Sequence, residues 1–436
     1  MKVYPIRWKT CRFAAIFTEN TIKNNDLRFL DAFQFKYGTL VPKRETTIDD
    51  ELRETYKKYT VITPGNIVIN GLNLNYDFVT QRVAIANKSG IITSAYIALQ
   101  INSSQNANYY CYLLKSMDSQ KIFNGLGTGI RLTLSYSLLK NYMLPIPPRE
   151  EQDQIVRYLE WQTYKINQLI DAKKKQIQVL REYALSVCNE LLTKGVDPNV
   201  AFQPTESNWM DEIPVHWKIS KIAKHFTIKK RIAGKEGYDV LSITQQGLKV
   251  KDVFTNEGQM AANYSGYQFV YPGDFAMNHM DLLTGYIDIS RHFGVTSPDY
   301  RVFVLDDTKN CYPEYYLQLF QLCYKRKIFY GYGRGAANQG RWRMPAVKFR
   351  SFEIPLPPYE EQVIISAKIQ EINSQIESAF SKLESEISTL SEMKTRLISD
   401  VVTGQIDVRN IGVPDFELVE EAADEAEESE DEMEVE

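Results

Sequence analysis

Arginine, asparagine and glutamine side chains crowd the stretch GYGRGAANQGRWRM, residues 331–344. Guanidinium and amide groups present paired hydrogen-bonding atoms that match the major-groove edges of guanine and adenine. The stretch therefore predicts base recognition in duplex DNA by the following candidates: Arg334, Asn338, Gln339, Arg341 and Arg343. The alternative for each is a solvated polar group at the surface, and Trp342 is interpreted as a core residue rather than a stacking platform.

Further basic and amide residues are candidates for holding a polyanion. The run Lys229, Lys230 and Arg231 suits phosphate groups, because cationic side chains contact phosphates without sensing the base sequence. Asn278 is a further DNA-binding candidate in the second half of the chain. Analogous candidates in the first half are Lys57, Lys58, Asn70, Asn73, Asn75, Arg82 and Arg131. For these too, a solvated surface position is the competing interpretation.

Several features resemble parts of enzymes, and in each a required group is missing. Leu356-Pro357-Pro358-Tyr359 resembles the N-P-P-Y or D-P-P-Y motif of amino-methyltransferases, but Leu356 cannot accept a hydrogen bond from the target amino group. We interpret it as the start of a helix. GLGTG (125–129) and GYGRG (331–335) resemble phosphate-binding loops, yet neither continues into Lys-Ser or Lys-Thr, which favours turns next to DNA over cofactor loops. No nucleophile or carboxylate pair lies at a spacing from His279 that would indicate catalysis. Contact with the edge of a nucleobase, or a structural role, is therefore favoured over a role as a general base.

Cysteine and histidine spacing argues against zinc and disulfide frameworks. The five cysteines include no C-x-x-C pair, and the four histidines do not fall at ligand spacing with them. Basic residues interrupt the segment after Met1, and no run of about 18 apolar residues occurs. We therefore expect a cytoplasmic protein with no bound metal and no membrane segment.

The net charge of −4 hides an uneven distribution. Residues Asp415 to Glu436 include 13 acidic residues and no basic one, so 55 minus 13 leaves 42 acidic against 51 basic residues elsewhere. This basic surplus suits a polyanionic partner, although ordinary solubility explains it equally well. The acidic tail, taken as residues 410–436, is predicted to be disordered.

The elements that would position the candidate residues are repeated along the chain. LPIPPREEQ at 144–152 matches IPLPPYEEQ at 354–362, and the two copies continue without a gap to Asp197 and Asp407. In each copy, prolines end an extended segment and carboxylates follow in a first helical turn, where they meet the positive end of the helix dipole. The pattern predicts a central helix at 149–195 and a C-terminal helix at 359–404.

Both predicted helices carry the same apolar heptad stripe, interrupted by Lys173 in the first and Lys394 in the second. The seam positions are Ile166, Ile170, Ile177, Leu180, Val187 and Leu191, with Ala184, in the first helix, and Ile376, Phe380, Leu383, Ile387, Leu390, Leu397 and Val401 in the second. A helix of this length would be roughly 65 Å long at about 1.5 Å per residue. The apolar stripe of each helix can be buried against the matching stripe of the other copy, so we predict that the two helices pair in an antiparallel orientation. The alternative is a solitary long helix packed on a globular body.

The repeat extends into the segments before the helices. The matched anchors are Pro5 with Pro214, Trp8 with Trp217, Phe17 with Phe226, and Tyr109-Tyr110 with Tyr315-Tyr316. We therefore interpret the chain as two copies of one module of about 205 residues. The predicted fold class is α+β: two α/β domains, at 1–148 and 205–358, joined by two long antiparallel coiled-coil helices in an internal pseudo-twofold repeat.

These motifs resemble the DNA-specificity subunit of type I restriction-modification systems over essentially the whole chain. The resemblance is carried by the paired helix starts (Pro145 to Gln152 and Pro355 to Gln362), by the helix ends LTKGVDPNV and VTGQIDVR, and by EIPVHWKISKI. Residues 278–303 with GRWRM at 340–344 also look like one recurrent type of target recognition domain. The first domain departs more from the pattern, and the acidic tail matches no part of it.

The resemblance implies a targeting subunit that performs no catalysis. Each target recognition domain would read one half of a bipartite, asymmetric site in double-stranded DNA, and the helices would fix the unread spacer. It also implies methyltransferase subunits, expected to be two, that use S-adenosylmethionine to methylate adenine N6. Restriction subunits would use ATP and Mg²⁺ to translocate and cut DNA. No cofactor is expected on this chain.

Two other functions stay open from the residues themselves. A coiled-coil scaffold that binds proteins without touching DNA is favoured by the acidic tail and disfavoured by the basic remainder. An autonomous methyltransferase would need the two motifs that are incomplete here.

Overall fold

The computed structural model describes residues 4–36, 38–43, 48–76, 81–251, 263–335 and 342–416. The candidates Asn338, Gln339 and Arg341 and tail residues 417–436 lie outside the described residues. The chain forms two compact units, here called unit 1 (residues 1–173 and 384–436) and unit 2 (residues 174–383).

Short strands and helices precede the first long helix. In chain order they are β1 (Lys9–Arg12), α1 (Phe13–Ile16), β2 (Phe17–Glu19), β3 (Ala32–Lys36), β4 (Thr39–Pro42), α2 (Asp50–Lys57), β5 (Thr60–Ile62), β6 (Ile67–Ile69), β7 (Val83–Ile85), β8 (Gly90–Ile92), β9 (Ile97–Ile101), α3 (Ala107–Ser119), α4 (Ile122–Leu126), α5 (Tyr136–Leu139), β10 (Met143–Ile146) and the long helix α6 (Arg149–Lys194).

A similar series precedes the second long helix. It consists of β11 (Phe202–Pro204), β12 (Glu212–Pro214), β13 (Lys218–Lys221), α7 (Ile222–His225), β14 (Phe226–Lys229), β15 (Leu241–Thr244), β16 (Gly247–Val250), β17 (Gln268–Val270), β18 (Phe275–Met277), β19 (Ile287–Ile289), β20 (Gly294–Thr296), β21 (Arg301–Leu305), α8 (Pro313–Lys325), a 3₁₀ helix (Phe329–Tyr332), α9 (Ala346–Ser351), β22 (Glu353–Leu356) and the long helix α10 (Tyr359–Val402).

The same antiparallel sheet lies in each unit. Its strand order is β2-β9-β6-β7 in unit 1 and β14-β21-β18-β19 in unit 2. A two-stranded ladder joins the start of each domain to the strand before its long helix, through β1 with β10 and through β13 with β22. The α+β class and the internal repeat are therefore confirmed at the level of strand topology.

A second strand arrangement also recurs in both units. In unit 1 it is a four-stranded sheet, ordered β4-β3-β8-β5, in which β3 and β8 run parallel. In unit 2 the corresponding strands form the ladders β15 with β16 and β17 with β20, and a parallel bridge from Val240 to Val295 connects the two ladders. The units therefore share both arrangements, and the second is less completely paired in unit 2.

The repeated tyrosine pairs connect each domain to the long helices. The first tyrosine of each pair is fully buried and donates to a carbonyl near a helix end: Tyr109 to Val402 at 3.0 Å in unit 1, and Tyr315 to Leu192 at 2.7 Å in unit 2. The second donates to a proline carbonyl in the strand before the helix, Tyr110 to Pro145 at 3.0 Å and Tyr316 to Pro355 at 3.2 Å. A buried hydroxyl needs such a partner, which explains why tyrosine occupies all four positions.

The long helices carry the predicted stripe. Every predicted seam position is buried or half-buried, including Lys173 and Lys394, and most residues between them along the middle of each helix are exposed. Within unit 1, Lys394 donates to the Asn167 side chain at 2.6 Å and Lys173 pairs with Glu386, so α6 and α10 run antiparallel. Within unit 2, the Arg181 guanidinium lies over the Phe380 ring, 5.6 Å from its centroid, in the same register. The antiparallel pairing is confirmed, and a solitary helix is not what forms.

The first residues of the predicted acidic tail depart from the expectation of disorder. After α10 the chain packs on α6 within unit 1, where Gln154 donates to the carbonyl oxygens of Val408 at 3.0 Å and Ile411 at 2.8 Å. Arg157 pairs with Asp415 at 2.9 Å. Residues 410–416 are therefore an ordered arm, which composition alone did not indicate.

Membrane and thiol features can be stated for the described part of the chain. None of its helices holds an apolar stretch long enough to cross a bilayer. All five cysteines are free thiols.

Candidate nucleic-acid interface

The repeated Glu-Glu-Gln motif fixes each domain on the start of a long helix. Gln152 is buried, accepts a hydrogen bond from the Asn106 N–H at 2.9 Å and donates to the Pro147 carbonyl at 2.9 Å. Gln362 does the same in unit 2 with the Tyr312 N–H at 2.7 Å and the Pro357 carbonyl at 2.8 Å. Asn106 and Tyr312 are the N-caps of α3 and α8, so the glutamine joins the domain's own helix to the long one.

The glutamate before this glutamine fixes the first segment of the domain. Glu151 accepts from Arg7 at 2.6 Å in unit 1. Glu361 accepts from the Trp217 indole at 2.8 Å and contacts the His216 ring nitrogen Nε2 at 2.7 Å in unit 2. The motif that sequence analysis assigned to a helix start thus also positions the domain.

Candidates in the first domain gather around the loops at 70–76 and 129–131. Asn73 and Asn75 are exposed, and Asn75 donates to the Ile130 carbonyl at 3.2 Å, next to exposed Arg131. Arg82 is buried beneath this loop and donates to the carbonyl oxygens of Leu72 at 2.7 Å and Asn73 at 3.2 Å. Arg82 therefore supports the loop, and direct contact with a base would require these bonds to break.

The lysine candidates of the first domain lie in a different segment. Lys57 and Lys58 stand at the C-terminal end of α2, where Lys57 pairs with Glu54 and Lys58 is exposed. The structure does not join them to the asparagine loop through any contact among the described residues.

Asn70 and Asn278 play the same structural part in the two units. Each follows the third strand of the shared sheet, and its side-chain oxygen accepts from the N–H two residues on, Leu72 at 3.2 Å and Met280 at 3.2 Å. This is the Asx turn that asparagine forms readily. Both side chains thus shape the following loop, and base contact by them stays a prediction.

Arg334 and Arg343 are brought together by their backbones. The Arg334 N–H donates to the Arg343 carbonyl at 2.8 Å, and the Arg343 N–H donates back at 3.1 Å. Both side chains are exposed. Between them in sequence, Trp342 is half-buried, stacks on Tyr330 at 5.4 Å and donates to the Tyr330 carbonyl at 2.7 Å. The tryptophan anchors the segment that presents the two arginines.

His279 accepts at its carbonyl from the Met344 N–H at 3.0 Å, next to Arg343 in sequence, and its side chain is neutral at physiological pH. Burial, followed by the charges of Arg301 and Arg343, lowers its pKa from 6.5 to about 3. Arg301 is itself buried and donates to the Met344 carbonyl at 2.8 Å. The Nδ1 atom of His279 is buried with no hydrogen-bond partner among the described residues. A histidine with so low a pKa is a poor general base at neutral pH.

The basic run after β14 is divided between two roles. Arg231 pairs with the buried carboxylate of Asp274 and lies over the Tyr271 ring, 4.7 Å from its centroid. Lys229 is half-buried and Lys230 is exposed. Lys230 is therefore the member of the run best placed to meet a phosphate, while Arg231 holds the local fold.

The two glycine stretches begin inside short helices, since Gly125 lies in α4 and Gly331 in the 3₁₀ helix, and the later residues of each stretch follow that helix. In unit 2, a Cβ atom on Gly333 would lie 2.2 Å from the Trp342 ring, so glycine is needed for close packing. Each stretch is preceded by a lysine in the left-handed region, Lys121 with φ of 59° and Lys327 with φ of 56°. The shared Lys-Ile-Phe at 121–123 and 327–329 is a sequence signal for this part of the repeat, which was not among the predicted anchors.

The fold also assembles a group that spacing did not reveal. His225, Asp307 and Cys311 place possible ligand atoms within 4.8 Å of one another. Both ring nitrogens of His225 are engaged, Nδ1 with Asp307 at 2.8 Å and Nε2 with Ser220 at 2.7 Å. Burial raises the pKa of Cys311 to about 12, which keeps the thiol protonated. The group is accordingly a hydrogen-bonded support at the corner between β13 and β14.

Comparison with known proteins relates the chain to restriction-modification systems. The family described as "Type I restriction modification DNA specificity domain" matches residues 14–179 and 217–388. Two relatives from Methanocaldococcus jannaschii are similar to this chain. The type I restriction enzyme MjaVIII specificity subunit is 24% identical over 376 residues, covering 81% of this chain and 84% of its own. The putative type I restriction enzyme MjaX specificity subunit is 24% identical over 388 residues, covering 83% of each.

A solved structure shows the same fold. A chain from a study of complex assembly and conformational transition in the type I restriction-modification system aligns with a TM-score of 0.62. It is 11% identical and covers 93% of this chain and 100% of its own. The overall fold is therefore shared with that protein.

Proposed function

Because the chain belongs to the type I restriction-modification DNA specificity family, we propose that each of its two units reads one half of a bipartite, asymmetric target in double-stranded DNA. As a specificity subunit it is a targeting component and not itself an enzyme. A protein-binding scaffold that ignores DNA is not favoured.

The observation that carries the proposal is the repeat of one framework with different loops. The sheet order, the buried tyrosines and the glutamine contacts recur in both units. The asparagine candidates and Arg131 of the first unit lie on loops at 70–76 and 129–131, and two exposed arginine candidates of the second lie at 334 and 343. A constant framework with two unrelated loop sets suits a reader of two different half-sites.

The paired helices would set the unread spacer between the half-sites and dock methyltransferase subunits, which we take to be two. S-adenosylmethionine, ATP and Mg²⁺ would be bound by the partner subunits rather than by this chain. The methylated atom would be adenine N6, and the complex would act in the cytoplasm, where the host DNA lies.

Methylation-aware sequencing tests the target. Cells that express the chain with its methyltransferase subunits should show methylated adenine in a motif of two defined parts separated by undefined bases. Deletion of the gene for this chain should abolish that methylation. A continuous motif, or methylation that persists without the chain, would contradict the proposal.

An insertion tests the spacer separately. Seven residues added to both helices, near Leu180 and Leu390, should preserve the heptad register and lengthen each helix by roughly 10 Å, about three base pairs of B-form DNA. The half-site sequences should persist while the spacer lengthens. A four-residue insertion at the same points breaks the stripe and serves as the control. An unchanged spacer in the seven-residue variant would show that the helices do not set the distance.

A further inference from the structure

An open cleft of about 640 Å³ lies in unit 2, beside one of the arginines already described. Its walls come from four separate segments: the loop between β11 and β12, the end of α8, the 3₁₀ helix with the residues after it, and α9. The lining residues that matter here are Arg326, Gly331, Tyr332, Arg334 and Lys348. Arg326 and Lys348 lie in different segments from Arg334, so their spacing in the sequence does not indicate that the three are close.

The cleft is cationic. Arg326, Arg334 and Lys348 are all exposed, and none of the described lining residues is a carboxylate. Arg326 also borders a neighbouring cavity that contains Asp211 and Glu212, where Glu212 pairs with Lys194 at 2.6 Å. Arg334 and Lys348 do not line that acidic cavity. A concave surface with one sign of charge concentrates ions of the opposite sign.

The backbone of the cleft is open to a ligand. A Cβ atom on Gly331 would meet nothing within 4 Å, so this part of the wall faces free space. Next to the cleft residue Arg326, Lys327 is exposed and holds a φ of 56°. Glycine is the favoured residue in this conformation at a helix end, and lysine there costs about 1 kcal/mol or more. The equivalent Lys121 of unit 1 has the same conformation, so both units keep a cation where glycine would be less strained.

We propose that this cleft binds a phosphodiester group of the target DNA backbone through Arg326, Arg334 and Lys348. The inference rests on the proposed function, because DNA is the polyanion that this unit would meet. The cleft would position the duplex without sensing its sequence, while exposed Arg343, which is hydrogen-bonded to Arg334 through the backbone, is left to approach a base edge.

Charge-removal variants test the cleft in the full chain bound to its methyltransferase subunits. The probes are two 30-base-pair duplexes. One carries the target motif identified by methylation-aware sequencing, and the other carries a scrambled sequence. Lys348→Ala and Arg334→Ala should each weaken binding to both duplexes by the same factor. Each should lower the slope of log affinity against log salt by about 0.9, the amount expected for one phosphate contact. Lys309→Ala, which removes an exposed lysine elsewhere in unit 2, is the matched control and should change neither.

A glycine variant gives an independent test that does not depend on loss of side-chain packing. Gly331→Asp places a carboxylate in open space at the cleft and should repel the phosphate, so both duplexes should bind several-fold more weakly. Gly331→Ser occupies similar space without charge and should bind like the parent. Equal melting temperatures for the two variants would show that the effect is electrostatic.

The outcomes separate this proposal from the function it rests on. If the parent complex discriminates between the duplexes and the cleft variants leave affinity and salt slope unchanged, the cleft does not bind phosphate and the two-part reader stands. If Arg334→Ala or Lys348→Ala weakens only the motif duplex, the cleft reads bases and the phosphate assignment is overturned. A parent complex with no preference for the motif would contradict the proposed function itself.

Discussion

Gln152 and Gln362 make the same contacts in their respective units: each buried amide donates to the carbonyl of the proline five residues before it, at 2.9 Å and 2.8 Å. Each also accepts from the N-cap residue of the domain's main helix. The amide therefore serves both a donor and an acceptor role, which a carboxylate cannot do.

Replacement of Gln362 by glutamate should destabilise unit 2. The new carboxylate oxygen would face the carbonyl oxygens of Pro357 and Asn310, where the amide now donates. The loss of these bonds in a buried site should cost about 2–3 kcal/mol of unfolding free energy. Gln370→Glu on the exposed face of α10 should change the unfolding free energy by less than about 0.5 kcal/mol. Urea denaturation followed by fluorescence measures both, and equal stabilities would contradict the anchoring role.

Sequence patterns predicted the helices and their pairing because the information is local and repeated. The heptad stripe needs only residues three and four apart, and the second copy confirmed the register of the first. Burial of Arg82 was not predictable in this way, since its partners are backbone carbonyls that only the folded loop presents. The same limit applies to His225 and Asp307, whose side chains meet across 82 residues of chain. Long-range packing decides which polar side chains face inward, and spacing in one sequence does not record it.

Residues 1–205 alone should form a dimer through their helix, because the stripe they lack is nearly the one they carry. In the intact chain Lys173 pairs with Glu386, whose counterpart 210 residues earlier is Gln176. The fragment dimer would thus place Lys173 opposite glutamine rather than an acid. Light scattering should detect the dimer, and a fragment that stays monomeric at high micromolar concentration would contradict the pairing argument.

The change Gln176→Glu should strengthen that fragment dimer. It would create two symmetric lysine–glutamate pairs, and at about 0.5 kcal/mol each they would tighten dimerisation roughly fivefold at low salt. Gln168→Glu changes an exposed position outside the stripe and is the control. Sedimentation equilibrium at two salt concentrations measures the effect, which should shrink at high salt. Equal dimer affinities for the two variants would show that position 176 does not face Lys173.

Acid should destabilise unit 2 partly through His279. Its folded pKa of about 3 lies below the ordinary value of 6.5, so the unfolded chain binds the proton more readily. The stability that this neutral histidine contributes is present above pH 6.5 and is lost as the pH falls towards about 3. His279→Gln should remove that loss, so its melting temperature relative to the parent should rise between pH 7 and pH 5. The exposed His292→Gln should show no such trend, and parallel curves for His279→Gln and the parent would contradict the assignment.

Variants of Lys230 and Arg343 should distinguish contact with the DNA backbone from recognition of bases. Lys230 is exposed after β14, in a run suited to phosphates, so Lys230→Ala should weaken binding to all sequences alike and lower the salt slope by about 0.9. Arg343 is exposed on a segment fixed by two backbone hydrogen bonds to Arg334. A guanidinium held in this way can contact guanine through two hydrogen bonds, so Arg343→Ala should cost about 1–3 kcal/mol of discrimination at one base pair of one half-site. The other half-site should be read as before.

Binding measured over all single-base variants of the target distinguishes these outcomes. For Arg343→Ala the loss should be confined to one position, and the melting temperature should stay within a degree or two of the parent, because the backbone bridge to Arg334 does not depend on the side chain. A uniform loss across every position would assign Arg343 to the phosphate backbone with Lys230. A fall in melting temperature of several degrees would show that its side chain supports the loop.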